Sequence, residues 1–172
     1  LPGLWQSVQA VFPIVATPTL DGLTGATPLA AMRRHSGLEL AQLYQTDPLF
    51  AQAGLAGVGW EWANLGFLAG GAWLLYRRVF SWHAPVAMLA ALALMALLFY
   101  DGGSSVSRGS VIFHLLSGAT MLGAFFIVTD PVTCASSTRG RVLGGALVGV
   151  LIFVLRGWGR YPDGVAFAVL LM

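Results

Sequence analysis

The stretch His83-Ala-Pro-Val-Ala-Met-Leu-Ala-Ala-Leu-Ala-Leu-Met-Ala-Leu-Leu-Phe-Tyr100 carries no acid, arginine or lysine over its whole length. A helix rises about 1.5 Å per residue, so roughly 20 such residues cross a hydrocarbon core of about 30 Å. This run therefore predicts a transmembrane helix. Similar runs flank it. Residues 54–76 form a predicted span interrupted by Glu61 and Asn64, residues 110–128 a third, residues 141–155 a shorter fourth, and residues 165–172 the opening of a fifth. Trp60, Trp62, Trp82, Tyr100, Trp158 and Tyr161 fall near the predicted ends, where amphipathic rings prefer the membrane interface.

Composition agrees. Of 172 residues, 57% are hydrophobic and 9% are charged, against about a quarter charged in soluble domains. Mean hydropathy is +0.77. One core in a chain this short could not hide that much apolar surface from water. The expected fold is all-α: a polytopic transmembrane bundle of about four to five spans over residues 51–172, behind a membrane-surface segment, residues 1–50. That first part mixes Trp5, Val8, Val11 and Phe12 with Gln6, Ser7 and Gln9, as an interfacial helix does. The chain begins at Leu1 and stops within an apolar run, so we expect a piece of a longer protein.

Several function classes drop out. Nine arginines, no lysine and seven acids give a formal charge of +2, with no basic stripe for nucleic acid. Cys134 stands alone, which removes dithiol chemistry and Cys-x-x-Cys metal ligation. His35, His83 and His114 form no metal-binding pair, so any redox chemistry needs an organic cofactor. His114 reads as a hydrogen-bonded structural residue, and Cys134 as a packing residue at a loop edge.

Small residues recur at helical spacing: Gly66 and Gly70, Ala119 and Gly123, Gly140 and Gly144, Gly145 and Gly149. In lipid this spacing lets helix backbones approach closely. Packing within the chain is the expectation, ahead of dimerisation. Arginines orient the bundle weakly. Arg77, Arg78, Arg139 and Arg141 share one side, against Arg108, Arg156 and Arg160 on the other, which puts the Arg77 turn in the cytoplasm. The N-terminal segment then faces outward.

Two tetrapeptides nearly repeat: Thr24-Gly25-Ala26-Thr27 and Ser117-Gly118-Ala119-Thr120. The first follows Asp21 in a polar turn and precedes Pro28. Proline suits the first helical position, which makes Thr27 the N-cap. A phosphate ester on its hydroxyl would meet free backbone N–H groups and the positive end of the helix dipole. Simple capping is the competing reading. The second tetrapeptide lies inside an apolar run, where a helix contact or a helix break explains it better.

Asp21-Gly-Leu-Thr-Gly-Ala-Thr-Pro-Leu29, the segment from His114 to Thr133 (with Ser-Gly-Ala-Thr and Thr-Asp-Pro), and Tyr161-Pro-Asp-Gly-Val-Ala-Phe-Ala-Val-Leu170 together resemble the NqrB/RnfD family. Its members are membrane subunits of the Rnf complex and of the sodium-pumping NADH:quinone oxidoreductase. The likeness covers essentially the whole chain and matches the second half of family members about twice as long. It implies FMN joined through its phosphate to the last threonine of an S/T-G-A-T motif, installed by a dedicated flavin transferase from FAD. Thr27 is the matching residue, with Asp21 the preceding acid and Thr24, Gly25 and Ala26 completing the motif. At Thr120 the acid's place is held by His114, so that copy departs from the pattern.

The resemblance further implies a bacterial inner-membrane, multi-pass subunit that works only with other Rnf subunits. Electrons would pass between ferredoxin and NAD, coupled to Na+ or H+ movement, with no catalysis by this chain alone. It leaves room for a second, noncovalent flavin (riboflavin) built largely by residues outside this chain. Asp130, Asp163 and Glu61 are candidates for an ion path, because acids near hydrocarbon usually face a cavity or a partner. Helix capping with an arginine partner, such as Arg139 or Arg160, is the alternative. A secondary transporter with broken helices and no redox cofactor is the competing functional class. A structural subunit that has lost its flavin is a third.

Overall fold

The computed structural model describes residues 27, 29–30, 60–100, 110–159 and 163–172, and for Glu61 the backbone only. Residues 1–26 and 31–59, with Asp21, Thr24, Gly25 and Ala26 among them, lie outside the described residues, so the surface-segment expectation falls there too. The described residues are helical and contain no strand. In order they form α1 (Trp60–Tyr76), α2 (His83–Leu98), α3 (Val111–Leu116), α4 (Thr120–Leu122), a π-helical turn (Gly123–Ile127), α5 (Thr138–Gly157) and α6 (Val165–Leu170).

α5, 20 residues long with an 18-residue stretch of mean hydropathy 1.7, is long and apolar enough to cross a membrane. It exceeds the short span expected at 141–155, because Ser137 starts it early by accepting a hydrogen bond from the Gly140 N–H at 3.1 Å. α1 and α2 reach 17 and 16 residues. The third expected span, 110–128, departs from expectation: it is not one helix but α3, a break at Ser117–Ala119, then α4 running into the π turn.

α2 and α5 pack backbone to backbone. A methyl group at Gly145 would strike the Ala84 carbonyl, and one at Gly149 the Met88 carbonyl. Contacts that advance together along both helices mean that the two run parallel. Gly145 and Gly149 therefore serve packing within the chain, as expected. Gly144 has nothing within 4 Å of where a Cβ would sit. Gly144→Ala should thus raise the thermal midpoint of the solubilised protein, since alanine favours a helix by about 1 kcal/mol over glycine; a lower midpoint in a melting scan would show a hidden contact there.

Met88, Leu92, Phe125, Ile152 and Phe153 form the interior. The outward faces stay apolar, with Trp73, Leu94, Leu98, Leu143 and Leu170 all exposed. That is the arrangement of helices surrounded by lipid, apolar both inside and out. At the end of α1, Val79 N–H donates to Leu74 O at 3.1 Å and Arg78 N–H to Leu75 O at 2.9 Å. With Arg78 at φ 56°, this is a Schellman close that turns the chain sharply toward α2.

Candidate functional site

The helix break creates the site. α3 starts where Ser110 Oγ accepts from Phe113 N–H at 3.2 Å and stops where Ser117 becomes extended, at φ −105° and ψ 149°. Gly118 follows at φ +64°, a left-handed conformation that costs other residues roughly 1–2 kcal/mol. Breaking a helix inside an apolar bundle frees main-chain groups that hydrocarbon cannot satisfy. Here three side chains from elsewhere in the fold satisfy them.

Asn64 on α1 donates from Nδ2 toward Leu116 O at 2.8 Å and Gly118 O at 3.1 Å, as well as to Trp60 O in its own helix at 3.1 Å. Arg156, near the end of α5 and 2% exposed, donates to His114 O at 2.8 Å, Ser117 O at 3.3 Å and Thr120 Oγ1 at 2.8 Å. The Thr120 hydroxyl lies 2.9 Å from His114 O and 3.0 Å from Ser117 O, to which it donates in turn. Asp163, just before α6, accepts from Ala119 N–H at 2.7 Å through one carboxylate oxygen. Its other oxygen pairs with Arg156 at 3.1 Å. Two buried oxygens in this cluster, Ser117 Oγ and Asn64 Oδ1, have no hydrogen-bond partner among the described residues.

The first tetrapeptide reaches the same place. Thr27 Oγ1 accepts from Ala30 N–H at 3.2 Å, which makes it the N-cap that the sequence predicts. Two residues on, Leu29 is buried. A Cβ at Gly118 would lie 2.7 Å from Leu29 Cδ1 and 2.9 Å from the Asp163 carboxylate. Leu29, two residues after Thr27, thus neighbours the second near-repeat, and Thr120 is fully buried with its hydroxyl engaged.

The three acids do not converge. Asp163 stands at the break, and its arginine partner among the described residues is Arg156, while Arg160 lies outside them. Asp130 closes a local turn, accepting from Val132 N–H at 3.2 Å and lying 3.5 Å from the Thr133 hydroxyl. It makes no ion pair among the described residues. It lines a cavity of 730 Å³ together with Arg78, Ser81, Thr129, Cys134 and Arg141. Arg141 donates there to Ser81 Oγ and Ala135 O, both at 2.9 Å. Arg141 and Arg156 mark opposite ends of α5, roughly 22 Å apart at 1.5 Å per residue. Glu61 lies on α1, and its side chain is outside the described residues.

Asn64 and Arg156 are the residues that reading the sequence missed as site members. Asn64 figured only as an interruption of a span, and Arg156 as a loop charge. A lone arginine in an apolar run was the available signal, since charges inside a span usually face the bundle interior. Moving Arg156 into the interior changes the orientation tally to four arginines against two. His114 is buried beside Phe153, with ring centroids 5.5 Å apart.

Residues 4–172 match the NQR2, RnfD, RnfE family. The chain is 60% identical over its whole length to a Cellvibrio japonicus protein named as the D subunit of an ion-translocating oxidoreductase complex, of which it covers 48%. It is 54% identical to the protein of that name from Pseudomonas paraeruginosa, across 99% of this chain and 48% of the relative. With the Vibrio vulnificus protein it shares 52% over 88% of its length, covering 42% of the relative. The chain thus spans about half the length of the relatives it matches.

Proposed function

Because the chain belongs to the NQR2, RnfD, RnfE family, we propose that it forms part of a membrane subunit of an ion-translocating oxidoreductase complex and carries FMN through a phosphodiester at Thr27. The complex passes electrons between ferredoxin and NAD in the bacterial inner membrane and couples that flow to Na+ or H+ movement. Other complex subunits supply the neighbouring carriers, and a flavin transferase installs the FMN.

The observation that carries this reading is Thr27 at the start of its helix. Its Oγ1 takes the Ala30 N–H and the residue is only half-buried. An ester oxygen at that position keeps its capacity to accept, and the phosphate falls where a helix start favours negative charge. The residues present therefore fit the group. When bound, the isoalloxazine supplies reversible electron-transfer chemistry; Thr27 holds it, with Asp21, Thr24, Gly25 and Ala26 as the motif around it.

Leu29 lies against Gly118, at the end of α5 remote from Arg78 and Arg141. With the arginine-rich end cytoplasmic, the flavin turn is periplasmic. The ion path uses Asp130, on the wall of the 730 Å³ cavity, with Asp163 at the helix break and Glu61 on α1. The broken segment at Ser117–Ala119 favours a second reading, a cofactor-free transporter, because transporters often build their binding sites at such breaks.

Flavin fluorescence separates the two. The full-length protein, expressed with its flavin transferase and run on a denaturing gel, should give a fluorescent band. Thr27→Ala should abolish the band and Thr120→Ala should keep it. A band surviving Thr27→Ala would refute the site, and no band in the unmutated protein would favour the transporter.

A further inference from the structure

We propose that the 730 Å³ cavity at the arginine-rich end of the bundle binds the phosphate headgroup of an anionic membrane lipid, held by Arg78 and Arg141. Such a site needs neither the flavin at Thr27 nor an ion path. The cavity lies where the close after α1, the start of α2, the exit of the π turn and the start of α5 meet. Arg78 reaches its wall from the left-handed position of that close, at φ 56°.

Arg141 comes from the beginning of α5. Its Nε donates to Ala135 O and its Nη1 to Ser81 Oγ, both at 2.9 Å. These bonds fix the plane of the guanidinium, and both acceptors are uncharged. Most of its N–H donors are left over among the described residues. Neither Arg78 nor Arg141 has an ion-pair partner among those residues. Asp130, the acid on the wall, accepts from Val132 N–H at 3.2 Å and lies 3.5 Å from the Thr133 hydroxyl. Two cations against one acid leave the lining positive, and a planar arginine fork matches phosphate oxygens. The main chain adds to this. Leu74 O and Leu75 O are engaged by the close after α1, and Thr129 Oγ1 donates to Phe125 O at 2.6 Å. α2, by contrast, starts beside the cavity without a side-chain cap, so N–H groups of its first turn still seek an acceptor.

The rest of the lining separates a lipid from a soluble anion. Leu74, Val79, Phe80, Phe125 and Phe126 share the wall with the arginines, and inorganic phosphate gains nothing from apolar surface. The volume suits a drug-sized molecule, far larger than one phosphate. Val79 and Phe126 are also exposed, so the cavity opens onto the apolar exterior. Beside that opening Trp73, Tyr76 and Trp82 are exposed as well, rings of the kind that gather where hydrocarbon meets headgroups. A lipid phosphate lies at that depth, with its acyl chains against the outer face. Basic pockets between transmembrane helices bind anionic headgroups for these reasons.

The test uses the complete complex, stripped of lipid in detergent and titrated with phosphatidylglycerol, phosphatidylcholine or inorganic phosphate. Native mass spectrometry counts the lipid retained at each concentration. One phosphatidylglycerol per complex should be held about ten-fold more weakly in Arg141→Gln and in Arg78→Gln, the lower end for a hydrogen bond to a charged group. Arg139→Gln, an exposed arginine of the same helix end that does not line the cavity, should leave that lipid in place. Unchanged retention in both Arg78→Gln and Arg141→Gln would overturn the proposal. So would equal weakening in Arg139→Gln, which marks surface charge rather than a cavity. Phosphatidylcholine held as tightly as phosphatidylglycerol would also overturn it, as would displacement of the lipid by inorganic phosphate. Should Arg141→Gln fail to fold for want of its bonds to Ser81 and Ala135, Arg78→Gln decides alone, because its side chain gives up no hydrogen bond among the described residues.

Discussion

Replacing Arg156 with alanine is expected to destabilise the bundle by about 3 kcal/mol, the lower end for breaking a buried ion pair, because the Asp163 carboxylate left behind is 30% exposed. The guanidinium holds four acceptors at once: His114 O, Ser117 O, Thr120 Oγ1 and Asp163 Oδ1. Truncation takes the cation from Asp163 and leaves His114 O and Ser117 O to the Thr120 hydroxyl. Lysine keeps the charge, but its single ammonium cannot span a planar fork of acceptors, so Arg156→Lys should fall between alanine and the native residue. Melting of the solubilised complex, followed by tryptophan fluorescence, gives the ranking. Asp163→Asn should soften the loss in Arg156→Ala, because it removes the stranded carboxylate. A double variant as unstable as the sum of the two singles would mean that Arg156 and Asp163 act independently.

Gly149→Val is the second large effect, expected at about 3 kcal/mol, the upper range for overpacking. A Cβ there meets the Met88 carbonyl, lies 3.1 Å from the Ala91 Cβ and lies equally close to the Leu92 amide nitrogen. Two of these three are main-chain atoms, which cannot swing aside as a side-chain tip can. α2 and α5 would have to separate along their length. That separation should appear as a lower melting temperature and as protease cleavage between the two helices. Equal stability of Gly149→Val and the native protein would mean that the parallel α2–α5 contact is looser than this geometry requires.

Reading the sequence located α2 and α5 because an uninterrupted apolar run has one sensible outcome in lipid. It also identified the N-cap at Thr27, since proline after threonine is a local signal. The break at Ser117–Ala119 was half legible: small residues hinted at it, but residues 110–128 still read as one span. Hydropathy counts side chains and is blind to the hydrogen bonds that Asn64 and Arg156 supply from 52 and 42 residues away. For the same reason Arg156 did not figure among the arginine partners considered for the acids, although the end of α5 brings it to Asp163. The meeting of Leu29 with Gly118 could not be read from either tetrapeptide alone.

The borrowed hydrogen bonds at the break also impose an order of manufacture. A ribosome delivers Asn64 first, so the carbonyls of Leu116 and Gly118 meet their donor as soon as they emerge. His114 O and Ser117 O find the Thr120 hydroxyl within a few residues and gain a second donor from an arginine made 42 and 39 residues later. The Ala119 N–H waits longest, for a carboxylate made 44 residues later. The break is thus held first by α1 and Thr120 and completed only by the chain that follows.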